Sequence, residues 1–348
     1  MFNFTSQKTA LRNLLKKENH MFKLGTILLA ILTSSVSLAK NKVVYGIDNR
    51  VDVYQTESTL FSDLSKSTAA MINNGSIADT EGDEVTIIGS TLESRGICSN
   101  ARFSQQITAA SCSGFLVAPN IVITAGHCVT SLSDCRNSKW VFDYKQPETL
   151  EENEDQNAEF KVLKSNVYSC VDFKSELNYS NKNDWAIVTL DRNVTDRTPL
   201  DFRKDGKVED KAPLVVIGHP TGLPTKIADG ANVRDNYDDI YFSANLDTFG
   251  GNSGSAVFNS ETGVVEGILV RGETDYEYTS RGCRVPKICT EDGCMGEHVT
   301  RITNISSLIE DVINGRVVTT PTEEETTGDV DTTLEPSVGE PTTGTTEE

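Results

Sequence analysis

Three short segments of the sequence carry the side chains that nucleophilic catalysis requires, in the order histidine, aspartate, serine. His127 lies in VITAGHCV, Asp184 in NDWAIVTL and Ser253 in GGNSGSAVF. A serine hydroxyl is a weak nucleophile until a neighbouring base accepts its proton, and a histidine held by a carboxylate is such a base. Each segment alone also fits an ordinary turn or strand end, so the prediction of a catalytic triad depends on all three occurring together.

The glycines on either side of Ser253 predict a tight turn with accessible backbone amides. We expect the amides of Gly251 and Ser253 to point toward the oxygen on which negative charge develops when the serine attacks a carbonyl. Such an oxyanion hole contributes strongly to catalysis, because the loss of one donor typically costs roughly 10²–10³ in rate.

Cys112 and Cys128 enclose the segment that leads to His127. The two halves of CSGFLVAPNIVITAGHC have the pattern of a β-hairpin, so we expect a Cys112–Cys128 disulfide. A closed loop of this size contributes about 3 kcal/mol to stability by restricting the unfolded chain. The disulfide is therefore predicted to hold the histidine loop in one position.

The sequence has eight cysteines, an even number that indicates disulfides in an exported chain. Zinc binding is the alternative, but Cys283, Cys289 and Cys294 lack the paired short gaps of a zinc ribbon. We expect Cys135 to pair with Cys170 and Cys283 with Cys294, although spacing alone does not determine connectivity. No motif in the sequence indicates a metal or another cofactor.

The elements that must position these residues are predicted to be mostly β-strands. Short runs rich in β-branched residues recur between turn residues, as in GFLV, IVITA, DWAIVTL, PLVVIGH and VVEGILV. Strands and helices do not alternate, which argues against a parallel sheet and favours an antiparallel barrel or sandwich pair. The apolar residues of RITNISSLIEDVINGR repeat at helical spacing, so a packing helix is predicted at 301–316.

Both ends of the chain differ in composition from the part between them. Residues 1–39 have the pattern of a signal peptide, with Met21 as a candidate start, because a lysine, a short apolar run and small residues follow one another. Residues 317–348 are rich in threonine and acids without any basic residue, and we expect them to be a disordered acidic tail. The formal net charge of −19 argues against a nucleic-acid surface, which needs clustered lysine and arginine.

The sixteen-residue spacing of Cys112 and Cys128, with TAGHC, NDWAIVTL and GNSGS, resembles the chymotrypsin-fold (trypsin-like) serine endopeptidases over residues 60–315. GNSGSAVF is most similar to their bacterial glutamyl-endopeptidase-like (V8-like) branch. The resemblance implies an all-β fold, with two antiparallel six-stranded β-barrels of chymotrypsin type and a C-terminal α-helix. The histidine and the aspartate of the triad are then expected in the first barrel and the serine in the second.

The same resemblance divides the chain into segments. It implies an amino-terminal or pro-segment at 40–62, a first barrel at 63–200 and a second barrel at 201–300, followed by the helix and the tail. In animal-type members, an aspartate before the serine pairs with a freed amino terminus, whereas this chain has the uncharged Asn252. We therefore expect the pro-segment of a zymogen to block or shape the site without an ion pair between Val43 and Asn252.

Substrate preference is predicted from the residues around the serine. Asp247, six residues before it, is where trypsin-like members place the acid that binds lysine or arginine, and Thr248 lines the same pocket. The glutamyl-specific branch relies on a histidine in the following strand, where this sequence has Leu269, Val270 and Arg271. A strand-end acid facing solvent is the alternative for Asp247, and Arg271 is a candidate partner for an acidic substrate side chain. The interpretation favours a basic residue before the cleaved bond, the P1 residue.

The resulting expectation is a secreted or periplasmic serine endopeptidase that acts through an acyl-enzyme on protein or peptide substrates. It is expected to be a monomer that binds no nucleic acid and has no stable membrane anchor. Alternatives are a glutamyl-type endopeptidase, an esterase or other hydrolase with the same triad, and a non-catalytic binding module on the same fold. His219 and His298 are interpreted as structural strand-end residues.

Overall fold

The computed structural model describes residues 42–148 and 160–316. The predicted signal peptide and the predicted disordered tail lie outside these residues. The described strands, β1 to β22 in chain order, are Lys42–Tyr45, Arg50–Asp52, Thr68–Asn73, Ile77–Asp79, Glu84–Ile87, Ser90–Thr91, Ile107–Thr108, Ala110–Ala118, Ile121–Thr124, Ser138–Phe142, Phe160–Leu163, Val167–Asn178, Asn183–Leu190, Pro213–Gly218, Lys226–Asp235, Tyr241–Ala244, Ala256–Asn259, Val265–Arg271, Tyr276–Tyr278, Arg284–Pro286, Ile288–Cys289 and Glu297–Arg301.

Three α-helices accompany these strands in the described ranges. They are α1, α2 and α3, at Thr59–Ser65, Leu132–Asn137 and Ser306–Ile313. The last helix is shorter than the predicted 301–316, because the chain first makes a 3₁₀ turn at Ile302–Asn304. None of these helices is long and apolar enough to cross a membrane.

Two closed antiparallel barrels of six strands each form the body of the protein. The first has the strand order β10-β12-β13-β9-β8-β3 and closes through the β3–β10 pair. The second has the order β14-β17-β18-β22-β16-β15 and closes through the β14–β15 pair. The predicted all-β fold of two six-stranded barrels with a C-terminal helix is confirmed.

The hydrophobic core continues from one barrel into the other. Strand β14 shows how, because side chains alternate between the two faces of a strand. Leu214 and Val216 lie in a cluster inside the second barrel, whereas Val215 and Ile217 belong to a larger cluster that includes residues of the first barrel. Helix α3 buries Ile309 in that larger cluster. The shared core holds the facing edges of the barrels against each other.

The amino-terminal segment is part of the second half of the molecule. Strand β2 pairs with β15 and extends the second barrel's sheet by a seventh strand. Strand β1 runs parallel to β21. Val44 and Tyr45 are almost completely buried, at 0% and 2% exposure. Part of the segment expected at 40–62 is therefore packed into the fold.

Four disulfides connect the eight cysteines. Two of them, Cys112–Cys128 and Cys135–Cys170, are as expected. The predicted pair of Cys283 with Cys294 is wrong, since the structure has Cys98–Cys283 and Cys289–Cys294. The reason is that extended strand β20 separates Cys283 from the turn that follows Cys289, and a bridge between Ile97 and Arg284 holds Cys283 beside Cys98 instead.

Candidate active site

His127 lies in a 3₁₀ turn, Gly126–Cys128, directly after β9. The Cys112–Cys128 disulfide ties this turn to β8. Gly126 allows the turn to pack on the backbone of the β12–β13 hairpin, because a Cβ atom there would lie 2.1 Å from the carbonyl oxygen of Glu176. The histidine side chain remains 34% exposed. The loop is thus anchored on both sides while its imidazole reaches solvent.

Asp184, the second residue of β13, binds His127 with both carboxylate oxygens. Oδ2 lies 2.8 Å from the imidazole Nδ1, and Oδ1 accepts a hydrogen bond of 3.0 Å from the backbone N–H of His127. Burial by itself would raise the pKa of Asp184, but the hydrogen bonds and charge of His127 outweigh it and hold the pKa below its usual value. The carboxylate is therefore ionised and can hold the imidazole with Nδ1 protonated.

Ser253 lies in a turn between β16 and β17 that docks onto the first barrel. The N–H of Ser113 donates to the carbonyl oxygen of Ser253 at 2.8 Å, and Cys128 Sγ lies 3.8 Å from the same oxygen. Gly254, at a φ of 86°, leaves no room for a side chain, since a Cβ there would lie 2.1 Å from the Ser113 carbonyl oxygen. Because Cys128 follows His127 directly, the serine turn and the histidine turn meet at the same edge.

The residues before Ser253 form the rest of this turn. Gly251 has a φ of 96°, which favours glycine, and its carbonyl oxygen accepts a hydrogen bond from Ser113 Oγ. Within 42–148 and 160–316, neither the Gly251 N–H nor the Ser253 N–H has a hydrogen-bond acceptor. Asn252 is buried, and its Oδ1 accepts a hydrogen bond of 3.3 Å from Ser255 Oγ. The two amides are thus available to an incoming oxygen.

Asp247 is buried and engaged by the chain's own amino-terminal segment. Its Oδ1 accepts a hydrogen bond of 2.7 Å from the N–H of Tyr45, and its Oδ2 accepts one of 3.0 Å from the N–H of Asn49. Burial raises the pKa of Asp247 to about 7 in spite of these two donors. The alternative that Asp247 is a strand-end acid facing solvent is therefore excluded. Its carboxylate accepts hydrogen bonds from two backbone amides.

Glu297 is a second buried acid in this region, and the sequence interpretation missed it. One of its carboxylate oxygens accepts a hydrogen bond of 2.6 Å from Thr248 Oγ1, and the other accepts one of 3.2 Å from the N–H of Glu273. The carboxylate packs directly against Gly272, where a Cβ would lie 1.8 Å from Oε2. Burial raises the pKa of Glu297 to about 8. No local motif marks this residue, because its partners come from distant turns.

Arg271, predicted as a pocket residue, lies against Asp184. Its Nη2 is 3.5 Å from Asp184 Oδ2 and donates a hydrogen bond of 3.2 Å to the carbonyl oxygen of Lys182. The structure thus brings Thr248 and Glu297 into contact with each other. It places Arg271 beside Asp184, the carboxylate that holds His127.

The remaining histidines are packed against aromatic rings. His219 is completely buried and stacks on Tyr144, and burial lowers its pKa to about 3. His298 packs on Tyr241, with ring centroids 4.5 Å apart. Cys112, His127 and Cys128 form the one cluster of metal-ligating residue types in the described ranges, but the two sulfurs are joined in a disulfide and offer no thiolate.

A family model described as a trypsin-like peptidase domain matches residues 112–268. Among solved structures, the chain is similar to a Glu endopeptidase in complex with MPD, with 16% identity, 78% of this chain and 99% of that chain covered, and a TM-score of 0.44. It is also similar to the Vibrio cholerae VesB protease (15% identity, 77% and 68% covered, TM-score 0.46) and to human heparin binding protein (14%, 80% and 100%, 0.47). A search of curated proteins found no match. At these identities, none of the activities in those names transfers to this chain.

Proposed function

We propose that this chain, which carries a trypsin-like peptidase domain, is an exported serine endopeptidase that cleaves protein or peptide substrates through an acyl-enzyme. In this proposal His127 accepts the proton of Ser253 Oγ while that oxygen attacks the carbonyl carbon of the scissile bond. The protonated histidine then gives the proton to the departing amine, which leaves an ester on Ser253. A water molecule, deprotonated by the same histidine, releases the acid product and restores the serine.

One observation carries this proposal. Asp184 binds both the backbone N–H and the Nδ1 of His127, an arrangement that fixes the orientation of the imidazole and directs its other nitrogen away from the carboxylate. The Ser253 turn docks on Ser113 and Cys128, which supports Ser253 as the residue whose proton this nitrogen accepts. The amides of Gly251 and Ser253, which have no acceptor among the described residues, support an oxyanion hole.

The proposal includes cleavage after lysine or arginine. Glu297 lies between the segment that leads into the serine turn and the segment that follows β18, and its carboxylate binds Thr248. An incoming cationic side chain favours the ionised form of this carboxylate, so Glu297 takes the role that the sequence suggested for Asp247. Arg271 is engaged by Asp184, which disfavours it as a receptor for glutamate.

The four disulfides support an oxidising compartment, secreted or periplasmic. The protein is proposed to act as a monomer, and its amino-terminal segment is proposed to shape the site.

Hydrolysis of a peptide library by wild-type protein and by Ser253→Ala tests the proposed function. The variant is expected to lose at least about 10⁴-fold in kcat/KM, because the attacking oxygen is removed. Ser260→Ala, a change in the turn after β17, is the matched control and is expected to keep full activity. Cleavage after lysine or arginine supports the Glu297 assignment, and cleavage after glutamate contradicts it. Folded wild-type protein without serine-dependent hydrolysis contradicts the endopeptidase and favours a binding module.

A further inference from the structure

Two basic side chains, those of Arg271 and His127, lie against the carboxylate of Asp184. Arg271, the last residue of β18, has Nη2 at 3.5 Å from Asp184 Oδ2, which is the same oxygen that faces His127 Nδ1. Asp184 is almost fully buried, with 3% of its side chain exposed, whereas the Arg271 side chain is 32% exposed. A carboxylate oxygen has more than one lone pair, so Oδ2 can accept from both the imidazole N–H and the guanidinium N–H.

The surroundings hold Arg271 in this place. Arg271 pairs with His298 across β18 and β22, and its guanidinium also donates to the carbonyl oxygen of Lys182. Lys182 Nζ is directed elsewhere, because it donates to the Tyr241 hydroxyl at 3.0 Å. Within the part of the chain that the structure describes, Asp184 is the carboxylate that Arg271 contacts, and the buried Arg271 Nη1 has no hydrogen-bond partner.

We propose that Arg271 is a positioning residue, which orients the Asp184 carboxylate toward His127 and does not bind substrate. The inference rests on the proposed function for its kinetic consequences but not for its structural one. With Arg271 in place, Oδ2 is held between two donors and Oδ1 by the His127 backbone, so rotation of the carboxylate is restricted. Without it, one face of the carboxylate loses its partner, and the orientation of the imidazole becomes less defined.

The charge of Arg271 has a second effect with a definite sign. A cation beside Asp184 stabilises the carboxylate and opposes the addition of a second positive charge on His127. Removing the cation therefore makes protonation of His127 easier, and the acid limb of the activity profile moves to higher pH. Strand β12 places the uncharged Leu177 opposite Asp184. The neighbouring His298 is itself ionisable, and the charges that act on it besides Arg271 are those of Lys182, Asp235 and Asp238.

Three variants test the proposal. Arg271→Met removes the charge and the donors, Arg271→Lys keeps the charge without the planar fork, and Lys182→Met removes a nearby cation that does not contact Asp184. For Arg271→Met we expect a fall in kcat of about 10-fold with KM nearly unchanged, and a rise of the acid limb by about one pH unit. Arg271→Lys should restore the acid limb but only part of kcat, and Lys182→Met should change neither.

A readout without catalysis separates this inference from the proposed function. The imidazole NMR signals of His127, followed against pH in the Ser253→Ala background, should shift their midpoint upward when Arg271→Met is added. An unchanged midpoint, or a midpoint that moves equally with Lys182→Met, overturns the positioning role. A change confined to KM for substrates with a P1 glutamate also overturns it, because it assigns Arg271 to the substrate. The NMR result stands even where no variant cleaves peptides.

Discussion

Two buried aspartates near the serine turn show how surroundings decide the state of a carboxyl group. Burial favours the neutral form of both, but the hydrogen bonds and charge of His127 lower the pKa of Asp184, whereas burial raises the pKa of Asp247 to about 7. Asp247 accepts two backbone N–H groups, yet neither carries a full charge. Asp184 is therefore suited to bind a cation, whereas Asp247 links the amino-terminal segment to the segment before the serine turn by hydrogen bonds.

Glu297→Gln is expected to stabilise the protein increasingly as the pH rises. The pKa of Glu297 is raised from 4.5 in the free residue to about 8 in the fold by burial. Between these values the unfolded chain has released the proton and the folded chain has kept it, so stability falls with increasing pH and levels off above about 8. The glutamine avoids this loss, which amounts to at most about 4 kcal/mol between pH 5 and 8.

Urea unfolding at pH 5 and pH 8 measures this difference. Glu277→Gln, at an exposed position of β19, is the matched control and should show the same free energy of unfolding as wild type at both pH values. If Glu297→Gln gained no stability between pH 5 and pH 8, the raised pKa would be refuted.

At the scale of elements, the candidate site is made by two turns that are attached to the same strand, β8. The Cys112–Cys128 disulfide links the histidine turn to β8, and Ser113, the next residue of β8, receives the serine turn through its N–H and its Oγ. Two neighbouring residues of one strand thus set the relative position of His127 and Ser253. Fixing both turns to one strand makes their separation insensitive to movements elsewhere in the barrels.

Replacement of Cys112 and Cys128 by alanine is expected to lower both stability and kcat. By loop-closure entropy, the loss of stability is about 3 kcal/mol for this sixteen-residue separation and about 4 kcal/mol for Cys135–Cys170, which spans 35 residues. The second pair lies away from the serine turn, so its double alanine variant should lose more stability but less activity. Chemical denaturation and kcat of both variants check this order, and equal losses of kcat would contradict the positioning role of the first disulfide.

The sequence predicted those features of the elements that depend on local patterns. The alternation of apolar residues predicted antiparallel strands, and the TAGHC and NDWAIVTL segments placed His127 and Asp184 where the structure joins them. Glu297 and the Cys98–Cys283 disulfide were missed, because each depends on segments far apart in the chain. Patterns within one segment carry no information on which distant segment will pack against it.

At the scale of the whole molecule, the amino-terminal segment contacts both the sheet of the second barrel and Asp247, which precedes the serine turn. Asp247 binds the N–H groups of Tyr45 and Asn49, and β2 extends the second barrel's sheet. Asn252 is uncharged and bonded to Ser255, so it offers no carboxylate to a freed amino group. The segment therefore contacts Asp247 through internal backbone groups that exist whether or not the chain is cut before them.

Activity is accordingly expected to be independent of a free amino group at residue 43. Protein trimmed after Lys42 and then acetylated at its new terminal amino group should keep its kcat/KM within about twofold of the unmodified trimmed protein. The reason is that activity does not depend on a charge at this terminus. Asp247→Ala should instead lower activity, since two backbone N–H groups lose their acceptor. Assay of the acetylated and unmodified forms side by side decides the point, and a steep loss on acetylation would show that the terminus forms an ion pair after all.

The Tyr45–Asp247 hydrogen bond joins residues 202 positions apart, and the Cys98–Cys283 disulfide joins residues 185 positions apart. During synthesis, the ribosome therefore releases the amino-terminal strands long before their partners exist. Contacts of such high sequence separation slow folding and leave strand edges exposed in the meantime. The last strand, Glu297–Arg301, lies between β18 and β16, so a chain interrupted before it retains an open second barrel.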